Sequence, residues 1–339
     1  MDNLIFTLNA VLPIIFCIVI GYCVKLLKLF PDEFFSKLNK LCFRVLLPVL
    51  LFKNVYDIAD ITKMADYWKI ILFATLTIIG IFLIGLLIVI FFIKDPKQKG
   101  VILQCIFRSN YAIIGIGLIN LLVTNFTSDE ISMAIGIGAI VSAISIPIFN
   151  VLAIISLSIF VHEEGKKTNP KEILIKICKN PLIIGVLSGI LVLLIRLAIP
   201  EGENGIKVFT IKNNVTFVYT TIEWLARSAS PIALIALGGA FSFSAVAKLK
   251  YKIILGTVLR VICVPLIALT LAYLFKFDKV YFPALIALFG TPVAVSSAPM
   301  AQEMDNDYEL AGQLVVWTSI SSAFTLFIII LISSSVGLI

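Results

Sequence analysis

Charged residues are scarce in this chain of 339 residues: Asp, Glu, Lys and Arg together make up 14%. Soluble domains carry roughly 25% charged residues, so a soluble globular protein is excluded. Hydrophobic residues make up 60% of the chain and fall in long runs. Because about 20 consecutive apolar residues form one helical membrane crossing, this composition predicts an all-α polytopic membrane protein.

Groups that support catalysis or metal binding are also scarce. The one histidine, His162, lies among charged residues of a polar segment, so no catalytic triad or metal site can be built around it. The six cysteines form no CxxC pair and mostly lie in apolar runs, which is typical of packing residues rather than of metal ligands or disulfides. The glycine-rich phosphate loop of a nucleotide-driven pump is missing. We therefore expect no enzyme, no cofactor and no metal.

Ten apolar runs mark candidate membrane spans. They cover residues 4–27, 36–56, 67–93, 101–123, 131–160, 181–199, 214–243, 251–275, 281–303 and 308–335. The connections after odd-numbered spans carry about twice as many Lys and Arg residues as the connections after even-numbered spans. Cytoplasmic loops are enriched in Lys and Arg, so we expect the odd connections in the cytoplasm and both termini outside. The same bias explains the net charge of +7 without a nucleic-acid partner.

The two halves of the chain repeat each other weakly. The spacing from Pro13 to Gly21 recurs from Pro181 to Gly189, and RVLLP in the second span recurs as RSASP in the seventh. An odd number of spans per half makes the second copy inverted, which is the architecture of many secondary transporters. We therefore divide the chain into a first five-helix repeat (1–160), a cytoplasmic connecting loop (161–180) and a second five-helix repeat (181–339).

One span in each half is interrupted by polar residues, glycine or proline. In the ninth span, Pro292 removes a backbone donor and should break the helix. In the matching fourth span, the interruption holds Arg108, Ser109, Asn110, Gly115 and Gly117. A broken helix persists in a membrane only where protein or a water-filled cavity satisfies its backbone, so the two breaks predict a binding site. The alternative is that the glycines only allow close helix packing.

The predicted substrate-binding residues lie at these two breaks. They are Asn110, Arg108, Ser109, Gly117, Thr291, Pro292, Ser296 and Ser297. Asn110 offers both a donor and an acceptor, and Arg108 is expected to meet an anion. For the Ser and Thr residues, hydrogen bonds between helices are an equally good interpretation. For Arg108 and Arg260, snorkelling to the membrane surface is the alternative.

An acidic cluster follows the ninth span, and Glu303 is its member nearest the membrane. A carboxylate there could bind a coupled proton or sodium ion. The commoner explanation of such a cluster is a solvated loop. Glu303 is therefore the one candidate for cation coupling.

The sequence resembles the auxin efflux carrier family, which is related more distantly to the bile-acid sodium symporters. The resemblance covers essentially the whole chain. It rests on the order and spacing of TPVAVSSAPMAQEMDNDYELA at 291–311, Asn110 followed by Gly115, Asn180 with Pro181, and SPIALIALGGAF at 230–241.

This resemblance implies two inverted repeats of five spans, with spans four and nine unwinding and crossing near the middle of the membrane. It also implies a rocking or elevator movement, usually in a homodimer. Bacterial members of the family are associated with organic anions such as malonate and malate, and plant members with auxin. Gly117 stands where relatives usually have a proline, and glycine permits unwinding without enforcing it, so the break point of span four stays open.

The function expected from the sequence is secondary active transport of small organic anions, such as mono- or dicarboxylates, across the cell membrane by alternating access. The alternatives are a sodium-coupled bile-acid-type symporter and a membrane sensor that binds a ligand without moving it. The expected partners are the organic anion, membrane lipids, a coupled sodium ion or proton, and a second copy of the chain.

Overall fold

Helices make up nearly all of the regular structure in the computed structural model of the protein, which describes residues 2–57, 66–161, 170–200 and 207–339. In the first half they are α1 (Asp2–Leu26), α2 (Asp32–Leu41), α3 (Leu47–Tyr56), α4 (Trp68–Phe92), α5 (Pro96–Phe107), α6 (Ile116–Leu122) and α7 (Ser128–Ser158). In the second half they are α8 (Pro170–Lys179), α9 (Pro181–Ala198), α10 (Ile211–Asn214), α11 (Thr216–Ala240), α12 (Phe243–Val258), α13 (Val264–Leu274), α14 (Phe282–Gly290), α15 (Ser297–Glu303) and α16 (Tyr308–Ser335).

Three short π-helical turns join some of these helices. They are Cys42–Leu46 between α2 and α3, Tyr111–Gly115 before α6, and Leu259–Cys263 between α12 and α13. The predicted connecting loop (161–180) contains the helix α8, while His162 lies outside the described residues.

Five of the described helical stretches are long and apolar enough to cross a membrane. They are Trp68–Phe92, Ser128–Ser158, Pro181–Ala198, Phe243–Leu274 and Tyr308–Ser335, and shorter apolar helices accompany them. Their outward faces carry many exposed Leu, Ile and Phe side chains, which suits lipid rather than water. The prediction of an all-α, multi-pass membrane protein is confirmed. The division into ten spans stays a prediction.

Two helical stretches stop inside the protein, where the sequence predicted interruptions. α14 ends at Gly290, and Thr291 then adopts an extended backbone (φ −71°, ψ 154°) because a residue that precedes proline is disfavoured in the helical region. α5 ends at Phe107, and Arg108 is also extended (φ −87°, ψ 112°) although no proline follows it. Gly117 lies inside α6, so the break in this part of the chain precedes it.

Two pairs of helices pack side by side, α1 with α11 and α3 with α9. The α1–α11 pair approaches through glycine. A Cβ on Gly238 would lie 2.0 Å from the carbonyl oxygen of Ile18, and one on Gly21 would lie 2.1 Å from that of Ile235. Small residues allow this close backbone contact between membrane helices.

Candidate functional site

The two breaks meet each other through their backbones. Ser109 and Val293 form an isolated antiparallel β-bridge, and the amide of Asn110 donates a hydrogen bond of 2.8 Å to the carbonyl oxygen of Pro292. The amide of Val293 donates to the hydroxyl oxygen of Thr318 in α16 at 3.3 Å. Backbone groups that the interrupted helices leave free are thus partly satisfied by the opposite break, as a membrane interior requires.

Arg260 satisfies the carbonyl groups at the ends of both interrupted helices. Its guanidinium donates to the carbonyl oxygens of Ile106 (3.2 Å) and Phe107 (3.3 Å) in α5, of Leu288 (3.4 Å) and Phe289 (3.2 Å) in α14, and of Thr291 (3.0 and 2.8 Å). The last carbonyls of a helix have no partner within the helix and carry the negative end of its dipole. Arg260 is fully buried, so the interpretation that it snorkels to the membrane surface is wrong.

Arg108 is also buried, with 3% of its surface exposed, so snorkelling is wrong for this residue too. Its Nη2 donates to Oδ1 of Asn150 at 2.8 Å and to Oγ of Ser296 at 2.9 Å. Its Nη1 contacts the sulfur of Met300 at 3.2 Å. These acceptors are all neutral, and none of the ion pairs formed within the described ranges includes Arg108.

A small cavity of about 40 Å³ lies beside Arg108. One wall is polar and comes from the breaks and α7; it includes Arg108, Ser109, Asn110, Asn150 and Ser296. The remaining wall is apolar: Leu47, Leu50 and Leu51 come from α3, Leu182 comes from α9, and the other residues come from α7 and the two breaks. A cavity of this size has room for about one or two water molecules, so a larger ligand has to widen it.

Two polar groups at this cavity have no partner in the part of the chain that the structure describes. They are the side-chain amide nitrogen of Asn110 and the hydroxyl of Ser109, both buried. A buried donor without a hydrogen bond costs about 1–3 kcal/mol. The cavity therefore combines a guanidinium that has only neutral partners among the described residues with two unsatisfied polar groups.

The structure brings half of the predicted substrate-binding residues together at the cavity: Arg108, Ser109, Asn110 and Ser296. It places the other four away from the cavity lining. The hydroxyl of Thr291 donates back to the carbonyl oxygen of Ala287 in α14 (2.9 Å), and Pro292 acts through its backbone. The hydroxyl of Ser297 is buried in the first turn of α15. Gly117 faces open space from α6, where a Cβ would meet no atom within 4 Å.

Glu303 forms an ion pair at the end of α15. Nε and Nη2 of Arg44 both lie 3.2 Å from its Oε2. Next to this pair, Gln302 accepts a hydrogen bond from Asn39 (2.5 Å) and donates one to Ser36 (2.7 Å). We refer to these five residues as the latch, because they tie α15 to α2 and the π-helical turn after it.

A larger cavity of about 1020 Å³, which we call the vestibule, adjoins the latch. Its charged lining comprises Arg44, Lys97, Lys179, Glu303 and Asp305. Asn180 and Pro181 also line it, and the next residue, Leu182, lines the small cavity. The vestibule therefore reaches the start of α9 from one side of the protein, and the small cavity lies just beyond.

Sequence reasoning missed two residues that hold Arg108. Asn150 is 2% exposed and is fixed by a hydrogen bond of 2.8 Å from its Nδ2 to the carbonyl oxygen of Ile146. Asn150 could have been identified from the sequence, because a polar residue inside an apolar run is costly and marks a candidate functional position. Met300 gave no such signal, since methionine is an ordinary core residue in an apolar helix.

Comparison with known proteins gives two matches over nearly the whole chain. The family model described as membrane transport protein matches residues 6–330. A protein of Methanocaldococcus jannaschii named as an uncharacterized transporter is 23% identical over 328 residues, which cover 96% of this chain and 97% of that protein.

Proposed function

Because this chain belongs to the membrane transport protein family, to which the auxin efflux carriers belong, we propose that it is a secondary carrier of small organic anions. The observation that carries this proposal is the environment of Arg108. A buried guanidinium whose partners are all neutral lies beside the unsatisfied amide of Asn110, in a cavity between two broken helices.

The electrostatics of the cavity favour an anionic substrate. A buried charge without a counter-charge loses several kcal/mol of hydration, and a bound carboxylate recovers much of this loss. Arg260 does not compete for the ligand, because its donors are directed at backbone carbonyls. Arg108 is the group that accepts the anion, and Asn110 donates a second hydrogen bond to it.

The two walls of the cavity suit the two parts of a carboxylic acid. The carboxylate meets the polar wall, and the carbon skeleton meets Leu47, Leu50, Leu51 and Leu182. Because the cavity is small in this closed arrangement, the substrate enters only when the broken segments move away from α3 and α9. Such a movement is alternating access, and the latch is the contact that it breaks on the vestibule side.

The proposal includes ten spans in two inverted repeats. Equivalent glycine contacts in the two halves support it: Gly21 of α1 packs on the backbone of Ile235 in α11, and Gly189 of α9 packs on that of Phe52 in α3. Gly189 follows Gly21 by 168 residues, as Pro181 follows Pro13 in the sequence repeat. Ile235 follows Phe52 by 183 residues, the separation between RVLLP and RSASP. The charge bias of the loops then assigns the vestibule to the cytoplasm and both termini to the outside, with the carrier working as a homodimer in the cell membrane.

Transport assays on the full-length protein test the proposal. Purified protein is first screened with a set of mono- and dicarboxylates for ligands that raise its unfolding temperature. Uptake of each ligand found is then measured in proteoliposomes, with and without sodium or proton gradients. We expect saturable uptake that Arg108→Gln abolishes and Arg227→Gln leaves unchanged. Arg227 is the matched control because it is an exposed arginine paired with Glu223 in α11.

Other results would point to the alternatives. Uptake that vanishes without sodium would indicate a sodium-coupled symporter of the bile-acid type. Ligand binding without uptake would indicate a sensor. Uptake that does not saturate would indicate a channel and would contradict the proposal.

A further inference from the structure

A groove of about 770 Å³ lies on the outer surface of the helices, away from the breaks. Its walls are α4, α13 and the turn after α13. Along its length it is lined by aliphatic side chains, among them Leu72, Leu76, Ile84, Ile267 and Leu271. In a membrane transport protein this face lies against the bilayer, so the groove is a concave part of the lipid-facing surface.

The groove is held open by a fixed turn and an aromatic cluster. Lys276, just after α13, adopts the left-handed conformation (φ 54°), and the amide of Phe277 donates to the carbonyl oxygen of Ala272 (3.2 Å). This arrangement caps the C-terminal end of α13. The ring of Phe73 in α4 lies 5.0 Å from that of Phe277 and 6.1 Å from that of Phe275. These contacts fix the distance between the two walls.

The floor of the groove is open at Gly80. A Cβ built on Gly80 would meet no atom within 4 Å, so a larger side chain there would project into the groove without a clash. The groove extends along α4 from Trp68 to Ile84, which is about 24 Å at 1.5 Å per residue. That length exceeds the roughly 15 Å of hydrocarbon in one leaflet, so one acyl chain fits along it.

Charged residues lie at only one end of the groove lining. Lys69 is the second residue of α4 and Lys276 follows α13; both are exposed, and Asp278 lines the same end of the groove. Trp68 and Tyr281 lie at the same end, as aromatic residues do where membrane helices leave the hydrocarbon. The groove thus has two lysines and one aspartate, a net positive charge, at the level of the lipid headgroups, and only uncharged, mostly apolar lining beneath them.

We propose that this groove binds one phospholipid, whose phosphate contacts Lys69 and Lys276 and whose acyl chain lies along α4 past Gly80. The lysines at one end of the groove complement a phosphate, and the apolar lining below them is long enough for an acyl chain. A second protein helix would need no cations at that level, so these features favour a phospholipid. The site is independent of the substrate cavity, because none of its residues lines that cavity.

Native mass spectrometry of the full-length protein tests the site with two lipids of identical acyl chains, phosphatidylglycerol and diacylglycerol. We expect one phosphatidylglycerol to be retained, with diacylglycerol bound at least about tenfold more weakly, because two lysine contacts to phosphate are missing. The double variant Lys69→Gln/Lys276→Gln should bind both lipids equally. Its control, Lys250→Gln/Lys252→Gln, removes two exposed or half-exposed lysines elsewhere and should keep the preference.

A second pair of variants tests the acyl-chain part of the groove. Gly80→Leu should fill the floor and weaken phosphatidylglycerol binding by at least about tenfold. Gly136→Leu in α7 is its match, because a Cβ there also meets no atom within 4 Å, and it should leave binding unchanged. Equal retention of both lipids by the wild-type protein and all variants would overturn the proposal. So would a Gly80→Leu variant that keeps its lipid but loses a dimer, since a second copy would then cover the groove.

Discussion

The backbone amide of Asn110 donates a hydrogen bond of 2.8 Å to the carbonyl oxygen of Pro292, so the interruptions of two separate helices share one backbone contact. The adjacent bridge between Ser109 and Val293 strengthens this link, and Arg260 binds the carbonyl ends of both helices. These contacts couple the two breaks. The broken segments are therefore expected to move as one unit against α3 and α9.

Replacing Arg108 should remove substrate binding while the protein stays folded. Hydrogen bonds to charged groups contribute about 1.5–3 kcal/mol, so Arg108→Gln should weaken carboxylate binding about ten- to hundredfold. Arg108→Lys should restore binding only in part, because one ammonium cannot make both the Nη2 contacts to Asn150 and Ser296 and the Nη1 contact to Met300. Ligand-induced thermal shifts and proteoliposome uptake measure the effect. Wild-type affinity in Arg108→Gln would contradict the assignment.

Replacing Arg260 should act on stability instead. Arg260→Leu leaves several buried carbonyls at the ends of α5 and α14 without a donor, and each unsatisfied group costs about 1–3 kcal/mol. We expect a large fall in unfolding temperature, with Arg260→Lys intermediate. Thermal unfolding in detergent measures this, with the exposed Arg227→Gln as the control. A variant as stable as the wild type would show that these contacts do not hold the breaks.

Asn110→Ala should abolish uptake with little change in stability. The amide nitrogen of Asn110 makes no hydrogen bond within the described chain, so its removal breaks no contact in the closed state. Binding should fall at least about tenfold because the substrate loses a donor. Asn110→Asp should bind still more weakly, since its carboxylate repels an anion. Unfolding temperature and uptake are compared for the two variants, and a collapse in stability without ligand would assign Asn110 a structural role.

If Glu303 couples a cation, Glu303→Gln should give uptake that no longer responds to a sodium or proton gradient. The physical reason is competition: a bound cation displaces Arg44 from the carboxylate and opens the latch. Asp305→Asn is the matched control, because Asp305 lies in the left-handed region (φ 55°), which Asn also tolerates. Uptake that keeps its gradient dependence in Glu303→Gln would exclude this residue from coupling.

Structural features that depend on neighbouring residues could be predicted from the sequence, whereas contacts between residues far apart in the chain could not. The break after α14 follows from Pro292, because proline restricts its neighbour wherever it stands. The break after α5 has no such local cause. Asn110 beyond it pairs with Pro292 of the other break, and Gly117, where the sequence leaves the break point open, lies inside α6. The role of Arg260 was beyond prediction, since some of its partners lie 154 residues away in the sequence.

The candidate site was predicted in outline for a similar reason. Polar residues inside apolar runs are costly, so Arg108 and Asn110 stood out as residues that need an explanation. Which side of each residue faces the cavity depends on the local hydrogen bonds. The hydroxyl of Thr291 turns back to Ala287, whereas that of Ser296 accepts a hydrogen bond from Arg108. The hydrogen-bond partner of each hydroxyl is set by the folded structure and cannot be predicted from residue spacing.

The most direct test of the proposed substrate site is a density map of the protein in a lipid nanodisc with a carboxylate that raises its unfolding temperature. We expect ligand density between the guanidinium of Arg108 and the amide of Asn110, in a cavity widened by movement of the broken segments away from α3 and α9. Ligand density confined to the vestibule, with the small cavity still closed, would contradict it.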